Sequence, residues 1–111
     1  MPGVTIIRPE TLPREPVNHP GGALKMVLIP GGVIPPLSQF AQASFSKGDR
    51  IEPHSHDGMT EIFYLVSGAA TCLGRQEETI RPGYVVLVPP GEVHGFDFIE
   101  ESCLIYLGIL S

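Results

Sequence analysis

The eight residues HSHDGMTE, His54 to Glu61, gather two imidazoles and a carboxylate into one short segment. Residues two apart in a strand point to one face, so His54 and His56 can aim both rings at a single point. Asp57 and Gly58 then read as a turn. Glu61 opens the next apolar run, EIFYLVSG, and a hairpin-like return sets its carboxylate beside the two rings. A third imidazole, His94, follows the turn segment PPGEV, whereas His19 sits in a Pro/Gly-rich stretch without companion ligands. An H-x-H pair taken alone is either a pair of exposed side chains or part of a metal site. Adding Glu61 and His94 favours the metal, because unpaired polar groups inside a small barrel cost roughly several kcal/mol each. A mixed N/O donor set without thiolate suits one divalent transition metal, with Mn or Fe ranked ahead of Ni, Zn, Co and Cu. Oxygen cages for Ca or Mg do not match it.

Short strands must position these groups. Pro and Gly mark breaks at HPGG (19–22), PGG (30–32), PP (35–36), KGD (47–49), HDG (56–58), SG (67–68), RPG (81–83) and PPG (89–91). Between them lie β-branched, aromatic and aliphatic runs: ALKMVLI, LSQFAQASF, EIFYLV, AATCL, YVVLV and SCLIYLGIL. Breaks at about ten-residue intervals around short strands predict an all-β sandwich or barrel. No useful window carries a 3.6-residue apolar period. Residues 1–23 read as an extended arm, with an edge strand expected at VTII, and residues 24–111 as the barrel.

At 111 residues the chain is one domain with room for a core. The net charge of −5 and the scattered basic residues argue against nucleic acid and anionic membranes as partners. The start, MPGVTIIRPETLPREP, has no apolar stretch of the kind a secretory signal needs, so a cytoplasmic location is expected. Cys72 and Cys103 fall in strand-like runs and read as reduced, buried thiols, with a disulfide or sulfur ligand as the alternative.

Two longer patterns resemble the cupins. GDRIEPHSHDGMTEIFYLVSG, Gly48 to Gly68, fills every fixed position of the first cupin motif, and GYVVLVPPGEVHGFDF, Gly83 to Phe98, matches the second through His94. Phe98 stands where the family often has Asn, and Tyr84 where many relatives carry Asp. The resemblance implies a double-stranded β-helix, or jelly-roll barrel, with His54, His56, Glu61 and His94 as metal ligands. It also implies a homodimer, often formed through N-terminal strands.

Strand alternation from His94 places Phe96 and Phe98 on the cavity side, and from Glu61 it places Phe63 and Leu65 there; filling the barrel is the plainer role for these side chains. Tyr64 and Tyr106 are candidate proton donors whose direction parity leaves open, and no catalytic residue is assigned. Met59 is read as loop packing. Arg50 and Glu52 share the parity of His54 and read as a solvated pair. Three neutral imidazoles and one carboxylate leave a divalent centre with a net charge of about +1, with roughly two open positions in a six-coordinate site. That suits substrates offering two oxygens, or one oxygen together with O2. A dioxygenase-like enzyme acting on a small enol, diketone or aromatic ranks first, a lyase or isomerase second. A non-catalytic binding or sensing module is the reading of another class.

Overall fold

The computed structural model describes residues 3–17 and 22–111; His19 lies outside them. After a single 3-10 turn at Pro9–Thr11 come β1 (Glu15–Pro16), β2 (Leu24–Ile29), β3 (Leu37–Phe45), β4 (Arg50–His54) and β5 (Met59–Ser67). Then follow β6 (Ala70–Gly74), β7 (Glu78–Ile80), β8 (Val85–Val88), β9 (His94–Phe98) and β10 (Ser102–Leu110). All pairings among the described residues are antiparallel. One sheet has the order β1-β2-β3-β10-β5-β8, and the other β4-β9-β6-β7. This is the β-sandwich expected from the spacing of the breaks, in the jelly-roll form that the cupin resemblance implies. From β3 to β6 each connection crosses between the sheets, which is why a turn signal recurs after so few residues.

The expected edge strand at VTII does not form. Residues 4–7 have no strand pairing, and Val4 and Ile6 are exposed. The edge position beside β2 is taken instead by β1, with Glu15 opposite Lys25 and Pro16 opposite Leu24. Proline suits such an edge, since it has no N–H to offer an interior ladder. Val17, next in the chain, packs against the core, so the arm contributes to the sandwich.

Between the sheets Phe45, Phe63, Leu65, Phe96, Phe98 and Leu104 are buried. Each large apolar side chain removed from water contributes about 1.5–3 kcal/mol. Phe45 and Phe98 stack with ring centroids 4.0 Å apart, which fixes the deep part of the sandwich. The turn at Gly68 is closed by a backbone of φ +88°, and a Cβ there would run into Ser102 Oγ and the Glu101 carbonyl. Only glycine meets both demands. No helix among the described residues is long and apolar enough to cross a membrane.

The inner face of the six-stranded sheet is organised in rows. Gln39, Gly108 and Glu61 are cross-strand neighbours in one row; Ala41, Tyr106 and Phe63 form the next. Lys25, Ala43, Leu104 and Leu65 make the third. The first row carries a candidate ligand and the third is mostly core, so polarity falls with depth.

Candidate metal centre

His54, His56, Glu61 and His94 come together: one donor atom from each lies within 4.8 Å of the others. They reach that point by different local devices. His54 ends β4, where register slips between Ile51–Phe96 and His54–His94, so three residues on β4 span two on β9. This bulge inverts the parity of the strand end. Ile51 and His54 therefore both face inward, whereas Arg50 and Glu52 do not share the face of His54 as simple alternation predicts. Both are exposed, and Arg50 bonds Glu52 at 2.9 Å and Asp97 at 2.7 Å. The solvated pair expected from the sequence is present, with Asp97 as a third member.

Gly95 makes the bulge compatible with β9. A Cβ on it would stand 2.5 Å from Ile51 O and 2.9 Å from Pro53 N, both backbone atoms. His56 lies beyond β4 in the loop, which is tied down by a hydrogen bond from Gly91 N to His56 O, 2.8 Å. Glu61 belongs to β5 in the opposite sheet, so its carboxylate faces the imidazoles across the sandwich rather than beside them in a hairpin. The turn at Asp57–Gly58 is present, but it is a corner between sheets.

Backbone carbonyls orient two of the rings. Nδ1 of His54 lies 2.8 Å from Glu52 O, and Nδ1 of His94 lies 3.1 Å from Glu92 O. A carbonyl can only accept, so each Nδ1 donates and the lone pair is left on Nε2. Nε2 of His94 is 2.9 Å from Glu61 Oε1, and Nε2 of His56 is 3.5 Å from the same oxygen. Glu61 Oε1 and His94 Nε2 are buried without a hydrogen-bond partner of acceptable geometry. Two buried lone-pair atoms left facing each other are costly. A divalent cation between them accepts both lone pairs, so the residues fit a metal ion. Burial works against a proton on His94, but contact with Glu61 and the Glu92 carbonyl outweighs it and sets its pKa above the ordinary imidazole value. A bound cation would compete with that proton for the same lone pair.

The cluster opens onto a cavity of about 140 Å³. Phe63 and Phe96 line it, as alternation predicted, and Met59 and Ile51 join them. Phe98 keeps the expected parity but sits deeper, stacked on Phe45 and absent from the cavity wall. The strand carries it past the floor of the cavity. Tyr106 points inward, lines the cavity and stacks against Phe63 at 5.8 Å. Burial, with smaller effects from Glu61 and Glu15, pushes its phenol up to about 12. Tyr64 is the opposite case: directly after inward Phe63, it lies on the outer face, 43% exposed, and cannot serve the cavity. Tyr84 is likewise exposed. Cys72 and Cys103 are free, half-buried thiols, both shifted upward chiefly by burial.

Sequence reasoning missed the far wall. Lys25, Ser38 and Gln39 line the same cavity. Lys25 was hidden inside the run ALKMVLI, where its only signal is a lone charge in an apolar strand.

A β-sandwich with three imidazoles and a carboxylate converging between its sheets defines a class of barrels whose interior could hold a metal ion. The cupin domain model matches residues 42–109, more than half the chain, and the protein belongs to that family. A stretch of 55 residues is 38% identical to an uncharacterized protein of Streptomyces coelicolor, covering 49% of this chain and 50% of that protein. The match thus spans about half the length of that curated relative. A predicted oxalate decarboxylase from Thermotoga maritima has a TM-score of 0.89 at 20% identity, covering 96% of this chain and 100% of that one. KdgF from Halomonas sp. has a TM-score of 0.84 at 21% identity, with coverage of 96% and 95%. The polyketide cyclase RemF from Streptomyces resistomycificus has a TM-score of 0.78 at 19% identity, with coverage of 97% and 80%. At these identities the likeness is one of fold.

Proposed function

We propose that the protein is a metal-dependent enzyme acting on a small oxygen-rich molecule such as an enol or diketone, by proton transfer in the manner of a lyase or isomerase. The observation that carries this reading is the cavity itself, lined both by four convergent donor atoms and by the half-buried phenol of Tyr106. His54, His56, Glu61 and His94 would hold one divalent transition metal, which supplies Lewis-acid polarisation of substrate oxygens when bound. The chain's own residues supply the rest. Phe63, Phe96 and Ile51 keep the inner cavity apolar and exclude water. Tyr106 keeps its proton at neutral pH and can give it to a substrate atom that gains negative charge, the role of a general acid. Relatives of the same fold that are named as a decarboxylase and a cyclase are in keeping with this chemistry.

The sequence alone ranks O2-dependent cleavage first, and the N/O donor set, suited to Fe or Mn, still supports that as a second reading. Tyr106 places proton transfer ahead of it. The decisive test is elemental analysis of the purified protein, followed by incubation of small enols and diketones in D2O with an oxygen electrode in place. Near one equivalent of metal with metal-dependent deuterium incorporation supports the proposal. Substrate-dependent O2 uptake would move the reading to a dioxygenase, and tight ligand binding without turnover to a sensing module.

The homodimer implied by the cupin resemblance has support in the outer face of the six-stranded sheet. Val85 and Leu87 are 61% and 64% exposed beside Tyr64 and Val66, an apolar surface of the kind that pairs with a second copy. Sedimentation velocity should give twice the monomer mass, and Leu87→Lys should reduce it to the monomer.

A further inference from the structure

Building on the metal-dependent reading above, we propose that Lys25 and Gln39 form a carboxylate-recognition site, so that the substrate is a small organic acid whose other oxygen function faces the His/Glu cluster. Lys25 is only 7% exposed and lines the cavity. The hydrogen-bond partner of its ammonium is neutral: Nζ lies 3.4 Å from Gln39 Oε1, a long hydrogen bond. Among the described residues no carboxylate lies within ion-pair distance of it. Glu15, its cross-strand neighbour, is exposed and does not reach it. A buried ammonium without a counter-charge is costly, and an anionic ligand would supply that counter-charge.

The surroundings fit that anion. Lys25 stands opposite Ala43, and its side chain reaches Gln39, whose backbone shares a row with Gly108 and Glu61. The ammonium is thereby carried from the deep row toward the row of the candidate ligands. Gln39 accepts from Lys25 through Oε1, which leaves its amide N–H groups to donate. Tyr106, on the intervening row, adds an O–H. An ammonium, an amide and a phenol on one wall are all donors, the set that a planar carboxylate takes up through charge-assisted hydrogen bonds. The donor set and small cavity favour a compact acid over a phosphate ester, which draws on arginines or backbone N–H nests.

The experiment is calorimetric titration of metal-loaded protein with pyruvate and with diacetyl, the uncharged diketone of similar shape. Wild type should bind pyruvate at least tenfold more tightly than diacetyl. Lys25→Met, which keeps the aliphatic stem, should lose that preference at unchanged metal content, and Lys25→Arg should keep part of it. A wild type without preference for the acid overturns the proposal and requires no variant to fold. So does a Lys25→Met protein that retains the preference. The same titration on chelator-treated protein separates the two readings. Lysine-dependent preference in a protein that never takes up metal would sink the metal enzyme and leave the anion site. Bound metal without such preference would do the reverse.

Discussion

The two walls of the cavity are built on different principles. The histidine wall needs tight convergence, because a metal tolerates little error in ligand position. The chain meets that need with irregular backbone: a bulge before His54, a corner loop at His56, and a glycine at 95 that lets the bulge settle against β9. The opposite wall is the inner face of the six-stranded sheet, which carries Glu61 on β5 together with Lys25, Gln39 and Tyr106 on strands β2, β3 and β10, brought together by register. It asks only that polar side chains stand on the inner face of a regular sheet. Precision thus comes from exceptions to strand geometry, and recognition from its regular repeat.

The comparison breaks most plainly at His94. His94→Ala and His54→Ala should abolish metal binding by elemental analysis, while Lys25→Met and Tyr106→Phe retain it; loss of metal in all four would mean that the walls are not separable. Next in size, Tyr106→Phe should lower turnover by ~100-fold or more, the usual share of a general acid, with metal content unchanged. Gly95→Ala should destabilise the fold by ~1–3 kcal/mol in urea unfolding and weaken metal affinity as well, since the new methyl overlaps backbone that cannot swing aside. A smaller effect appears at high pH. The folded-state pKa of Tyr106 is raised, to about 12, so the unfolded chain gives up this proton first. Its contribution to stability is complete below the ordinary phenol pKa near 10 and declines as pH rises toward 12. Phenolate absorbance should show one late-titrating tyrosine that Tyr106→Phe removes. Smallest of all, Arg50→Ala should leave the urea unfolding midpoint nearly unchanged, because its partners Glu52 and Asp97 are exposed, and metal content should not change.

Much of the fold was legible because strand length and break spacing follow from local chemistry. The run SCLIYLGIL coincides with β10 and LSQFAQASF with β3. Parity placed Phe63 and Phe96 at the cavity because β5 and β9 are regular there. It failed at Arg50 and Glu52, where a single extra residue inverts every assignment beyond it. It also overreached at Phe98, since parity states which face a side chain takes but not how deep it lies. The VTII segment has strand-like composition but forms no strand; pairing is a tertiary property, and Glu15–Pro16 occupies the edge instead.

By itself the sequence determined the four candidate ligands and the jelly-roll frame that carries them. Both were read from residue type, the spacing of breaks and the two motifs that resemble the cupins, which survive reading along one dimension. Only the tertiary structure decided that Glu61 meets the imidazoles across two sheets, that Tyr106 faces in while Tyr64 faces out, and that Lys25 lies buried beside Gln39. Those facts depend on which strands become neighbours and in what register, and residues far apart in the chain carry no local mark of that.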